Sequence, residues 1–172
     1  MTIQDKAAAL FSGAVEQARN PLFYERFGVS DTVEGRFELV ALHVFLVMRA
    51  LKGGGRKARL VSEALVEHTF RSMDDAMREL GVGDLSVGRK MRKLAEHFYG
   101  RVSVYDASLA KGAAPEAFVE AVSRNIYETF NASDAPTLAA YSRVAAAAVA
   151  DAELQELLEG RFIFPTPRWE EN

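Results

Sequence analysis

The sequence predicts an all-α protein, a single-domain bundle of about six to eight helices around a buried central helix. Three observations carry this reading. Apolar residues recur three and four positions apart through most of the chain, which is the period of a helix and not the two-residue alternation of a strand. The periodic runs are separated by proline or glycine at positions where helices start or stop. One run, "FELVALHVFLVMRAL" from Phe37 to Leu51, is apolar on nearly every side, so neighbours must cover it all round. No internal repeat or low-complexity linker interrupts the pattern. The 172 residues suit one domain, expected over 1–160, with an extended tail over 161–172.

The elements follow in order. Ile3, Ala7, Leu10, Ala14, Val15 and Ala18 fall on one face of a first helix, which Asn20-Pro21 breaks because proline disfavours the helical conformation of its predecessor. "PLFYERFG" makes a short helical turn between Pro21 and Gly28. Ser30 or Asp31 is expected to cap the central helix, over 32–52. "GGGR" ends it, and a helix over 57–80 follows, with Val66, Phe70, Met73, Met77 and Leu80 at helical spacing. Gly81 suits the left-handed conformation that stops a helix, because it has no Cβ to clash. Gly83 is expected to allow close backbone approach in the turn. Asp84 or Ser86 is expected to cap a helix over 86–110, with a stripe at Met91, Leu94, Ala95, Phe98, Val102 and Tyr105 facing the core. Pro115 and Pro136 mark the first turns of helices over 115–130 and 135–150, and a short segment near 151–159 ends at Gly160. The tail "RFIFPTPRWEEN" holds two prolines; its Phe162, Ile163, Phe164 and Trp169 are expected to pack on the bundle or to cover an apolar groove.

Composition removes several function classes. The chain has no cysteine, which excludes disulfides, thiolate catalysis and Cys-ligated metal centres. Net charge is −3, so the molecule as a whole is no general polyanion binder, and DNA is not an expected partner. The charge is nevertheless uneven: residues 1–111 carry 17 basic and 14 acidic side chains, residues 112–172 carry 4 and 10. The Phe37–Leu51 run is shorter than the ~20 apolar residues of a membrane span and contains Glu38, His43 and Arg49. The N-terminal residues do not read as a signal peptide, and the expected location is the cytoplasm, with peripheral contact at the inner membrane.

Little of the sequence points to catalysis. His43, His68 and His97 lack ligand spacing, so no metal or other cofactor is expected, and His43 reads as a satisfied core residue. No Gly-x-Ser-x-Gly elbow or phosphate-loop pattern occurs, and "GVGDLSVG" follows a helix where a dinucleotide fingerprint needs a strand. Asp74-Asp75 resembles the magnesium–pyrophosphate motif of isoprenoid or quinone-pathway enzymes. It is read instead as the i,i+4 pairs Asp74–Arg78 and Arg71–Asp75 on a helix surface. The remaining signal is basic: Arg89, Lys90, Arg92 and Lys93 occupy four of five positions beside the glycine turn, with Arg101 two turns on. Arg56, Lys57 and Arg59 form a second cluster. A basic ridge along the two helices suits ribosomal RNA, anionic lipid or an acidic partner, so a general RNA- or lipid-binding module is a further alternative.

"DTVEGRFELVALHVFLVMRAL" (31–51) and "FRSMDDAMRELGVGDLSVGRKMRKLAEHFYGRVSVYDASL" (70–109) together resemble the ubiquinol–cytochrome c chaperone family. The resemblance covers about residues 25–150. It implies a non-enzymatic assembly factor for the cytochrome bc complex that binds newly made cytochrome b, with the ribosome and a small partner protein as further contacts of the mitochondrial members. No targeting extension is seen, so a bacterial member is expected. Carried over, Arg89, Lys90, Arg92, Lys93, Arg101 and Arg36 become the expected partner-binding residues. Asp31, Glu34, Gly35, Arg36 and Phe37 match the family's start of the core helix, where they shape a groove or fix that helix.

Overall fold

The structure is a computed structural model and describes residues 1–169; the last three residues of the expected tail, 170–172, lie outside the described residues. Eight helices occur among the described residues, and no strand: α1 (Ile3–Ala18), α2 (Leu22–Glu25), α3 (Val33–Leu51), α4 (Gly55–Glu79), α5 (Asp84–Leu109), α6 (Ala117–Ile126), α7 (Ala135–Asp151) and α8 (Leu154–Leu158). No helix among them is long and apolar enough to cross a membrane.

α3 is the centre. Leu39, Leu42, Val44, Phe45, Leu46 and Val47 are all fully or almost fully buried, and together they occupy every side of the helix. α1, α4, α5, α6 and α7 each pack against it. Burying a side chain of this size contributes about 1.5–3 kcal/mol, so covering α3 is a large stabilising term.

The helix ends show where local chemistry departs from the sequence reading. Thr32, not Ser30 or Asp31, caps α3: its Oγ1 accepts from the Gly35 N–H at 3.0 Å. Asp31 instead pairs with Arg36. Gly35 is required by space, because a Cβ there would lie 2.0 Å from the Ser30 carbonyl oxygen. Gly81 stops α4 at φ +83°, as its freedom allows. Gly83 is extended, with nothing near its Cα face, so the expected close approach does not occur. It also occupies the N-cap of α5 without a side-chain cap, while Asp84 turns back to pair with Arg78. α6 ends earlier than expected. Ser123 Oγ donates to the Thr129 carbonyl and accepts from the Ala132 N–H, closing a loop in which Glu128 has φ 54°.

One polar chain crosses the core. His43 is fully buried on α3, and its Nδ1 lies 2.7 Å from the Leu39 carbonyl. A carbonyl only accepts, so Nδ1 carries the hydrogen and Nε2 accepts from the Tyr141 hydroxyl at 2.8 Å. Gln17 Nε2 donates to the same hydroxyl oxygen at 2.8 Å and to the Pro165 carbonyl at 2.7 Å. α1, α3, α7 and the C-terminal segment are thereby joined. Phe164 is buried edge-on against the His43 ring, and Trp169 lies under the Arg26 guanidinium. The aromatic tail residues therefore rest on the α1–α3 side of the bundle.

Burial pushes the His43 pKa down to about 4 from 6.5, against the smaller opposing effect of the Leu39 carbonyl. The unfolded chain then binds a proton between those values that the folded protein refuses, so stability falls as pH falls through this window. Urea unfolding should show a loss of about 2 kcal/mol from this group between pH 7 and pH 5. Tyr141→Phe, which leaves Nε2 and Gln17 without their shared partner, should cost about 1–3 kcal/mol at pH 7. A stability flat from pH 7 to pH 5 would contradict a neutral, buried His43.

Candidate functional site

α4 and α5 outrun the core helix. α3 has 19 residues, whereas α4 has 25 and α5 has 26. At 1.5 Å per residue the surplus is roughly 9 Å. α3 and α4 are antiparallel across a tight turn at 52–54, so the surplus lies beyond the start of α3. There the apolar stripes of the α4–α5 hairpin lose their cover. Val66 on α4 and Phe98 on α5 are buried, Phe70, Met73, Met77 and Leu94 are half-buried, and Leu80 is 70% exposed. The stripes that sequence periodicity assigns to the core thus become, toward the tip, the walls of a groove.

The groove has a volume of about 820 Å³. Met73, Ala76, Met77 and Leu80 of α4 form one wall, and Lys90, Lys93, Leu94 and His97 of α5 form another. Val33, Glu34, Gly35, Phe37 and Glu38 close it from the start of α3, and the segment 125–128 closes it from the end of α6. The family-like residues at 34, 35 and 37 therefore both fix α3 and shape the groove. Methionine suits such a wall, since its unbranched thioether adapts to differently shaped partners.

An ion pair sits in the groove lining. Arg101 donates to Glu38 through Nε at 3.1 and 3.3 Å and through Nη2 at 2.9 Å. Burial alone would lower the Arg101 pKa. The hydrogen bonds and charge of Glu38 outweigh it and hold the guanidinium above its ordinary value. Behind the pair lies Tyr105, fully buried, with a hydroxyl that has no hydrogen-bond partner among the described residues. Burial, reinforced by the Glu38 charge, pushes that hydroxyl's pKa upward.

The basic residues expected to bind partners divide into three sets. Lys90, Lys93 and Arg101 line the groove. Arg89 and Arg92 are exposed on α5 and line neither the groove nor the cavity at the other end of the hairpin. Arg36 is exposed, tied to Asp31 at 2.7 Å and 6.0 Å from the Tyr24 ring centre. The continuous ridge expected along α4 and α5 is not formed. Arg101 turns inward to Glu38, Lys57 pairs with Glu159 at 3.2 Å, and Arg59 faces Glu63 at 3.8 Å.

Asp74 pairs with Arg78 at 2.7 Å, as the i,i+4 reading expects, but Arg71 pairs with Glu67 and not with Asp75. Among the described residues no group of three or more His, Asp or Glu side chains is placed to hold a metal ion. A second cavity, of about 570 Å³, lies at the other end of the α4–α5 hairpin, where Lys52 and Asp106 in its lining pair at 2.9 Å.

Sequence reasoning missed Glu38, His97, Asn125 and Tyr127 as groove residues. The available signal was the pair of methionines at 73 and 77, four apart, next to a glycine turn flanked by leucines. Arg101→Met should destabilise the protein by about 2 kcal/mol, because it strands a Glu38 side chain that is only 12% exposed. The double change Glu38→Gln with Arg101→Met should recover at least half of that loss in urea titrations.

The comparisons with known proteins bear on the fold and the family. A family model described as ubiquinol–cytochrome C chaperone matches residues 25–164. The chain is 22% identical over 107 residues to ubiquinol-cytochrome-c reductase complex assembly factor 1 of Xenopus laevis, covering 62% of this chain and 54% of that protein. It is 23% identical over 107 residues to the Homo sapiens protein of the same name, covering 62% of this chain and 36% of that protein. The match thus spans between about a third and about half of these relatives' length. The crystal structure of the Cbp3 homolog from Brucella abortus superposes with a TM-score of 0.84 at 31% identity, over 94% of this chain and 89% of that one. The chain belongs to the ubiquinol–cytochrome c chaperone family.

Proposed function

We propose that this protein is a non-enzymatic chaperone for assembly of the ubiquinol–cytochrome c reductase complex, and that the α3–α4–α5 groove holds an apolar segment of newly made cytochrome b. The observation that carries the reading is the groove itself: a trough about 820 Å³ in volume, with Met73, Met77, Leu80 and Leu94 among a lining that is otherwise largely polar, formed where the α4–α5 hairpin runs past the start of α3. The relatives' names supply the complex.

A trough of this size takes a few side chains from one face of a helix, spaced three and four apart. Met73, Met77 and Leu94 would provide adaptable contacts. Holding such a client needs no turnover: binding delays its aggregation until a partner subunit displaces it. Lys90, Lys93 and the Arg101–Glu38 pair would set the polar edge of the site. The ribosome is a second proposed contact, one that the family resemblance implies.

A photo-crosslinking residue at Met77 should capture cytochrome b in growing cells, and one at exposed Val144 on α7 should not. Met77→Glu, which places a charge in the trough, should weaken client capture by at least about tenfold while leaving the thermal midpoint within a few degrees. Equal capture from positions 77 and 144 would remove the groove from the mechanism.

A further inference from the structure

The α4–α5 tip combines two exposed leucines with four cations. Leu85 is 90% exposed and Leu80 is 70% exposed, one on each side of the 81–83 turn. Beside them Arg89, Lys90, Arg92 and Lys93 are all exposed, and none pairs with a carboxylate among the described residues. Elsewhere cations are commonly paired: Lys6, Lys52, Lys57, Arg71 and Arg161 each hold an acidic partner.

We propose that this tip is a docking surface for anionic phospholipid, in which Leu80 and Leu85 enter the headgroup boundary and the four cations bind lipid phosphates. The spacing supports it. Leu85, Arg89 and Arg92 stand at i, i+4 and i+7, one face of α5, while Lys90 and Lys93 stand beside them on the groove rim. Of the two acids in residues 78–95, Asp84 is held by Arg78, while Glu79 is exposed beside Leu80. Residues 78–95 carry five basic and two acidic side chains in a chain of net charge −3. An anionic surface therefore attracts this end and repels the rest, which orients the molecule. Exposed leucines next to unpaired cations are the signature of an interfacial contact. RNA would engage the cations but gain nothing from the two leucines, so lipid is the better fit to both features.

The inference rests on the chaperone reading only for its use in the cell. Docked this way, the groove mouth faces the bilayer from which a membrane-protein client emerges or into which it is delivered. Its physical content is tested without client. The full chain is sedimented with vesicles of phosphatidylcholine alone, and with vesicles of equal parts phosphatidylcholine and phosphatidylglycerol, at low and high salt. Binding is expected to the anionic vesicles only, and to weaken steeply with salt.

Leu80→Ser with Leu85→Ser should reduce that binding about tenfold or more. Changing Arg89, Lys90, Arg92 and Lys93 together to Gln should reduce it by more than about a hundredfold, since each cation near such a surface is worth about fivefold. All six side chains are exposed, and unchanged thermal melts confirm that the variants fold. Three results would each overturn the proposal: no binding to anionic vesicles, equal binding to neutral ones, or binding of the leucine variant equal to wild type. So would tight binding of a ribosomal RNA fragment that displaces the vesicles and ignores the leucine changes. Loss of cytochrome b capture at Met77 with vesicle binding intact would instead overturn the client reading alone.

Discussion

Everything in this molecule is arranged by the need to bury α3 on all sides. A 19-residue helix with Leu, Val and Phe on every face cannot rest on one neighbour. Five other helices surround it, and their own apolar stripes are narrower because each needs only one buried face. The cover is complete where the lengths match and incomplete where they do not. α4 and α5 continue past the start of α3, and the unfilled angle between them becomes the groove. The site is thus a consequence of a length mismatch, closed on one side by the loop in which Glu128 has φ 54°.

Two regions of the bundle differ in how they are fastened. In the core the Gln17–Tyr141–His43 chain satisfies the polar groups it buries and joins α1, α3, α7 and the C-terminal segment. Such a network specifies a single packing, because any shift leaves a buried donor or acceptor unmade. At the groove end the contacts are methionines, half-buried aromatics and one partly exposed ion pair. These tolerate rearrangement at low cost. The molecule joins a tightly specified core to a more compliant surface, a division that suits the proposed binding of apolar segments.

The all-α class, the central helix and the order of elements were legible in the sequence, because they follow from periodicity and from glycine and proline punctuation. His43 was legible too, since a lone histidine in an apolar run must find partners. Details that depend on competition between neighbours were not. Thr32 took the cap that Ser30 or Asp31 was equally suited to fill, because Asp31 is engaged by Arg36. Asp84 was drawn from capping to Arg78. The groove was hidden for a deeper reason. Periodicity tells which face of α4 and α5 is apolar, but whether another element covers that face depends on relative helix lengths in space. Met73, Met77 and Leu94 therefore read as core. Arg101 read as surface because nothing local in the sequence connects it to Glu38, 63 positions away.

The charge distribution completes the account. A groove with apolar walls poses a hazard, since exposed apolar surface also attracts other copies of the same chain. Here the trough is bordered by Lys90, Lys93 and His97 on one wall and by Glu34, Glu38 and Glu128 on the others. Two copies meeting mouth to mouth would have to strip water from this charged edge before any apolar contact forms, and desolvating charge is costly. On the proposed function, a client helix without charges would enter between the edges and leave them hydrated. Selection between a membrane-protein segment and another soluble surface would then need no specific contact to either. It would follow from how much charge each has to dehydrate at the rim.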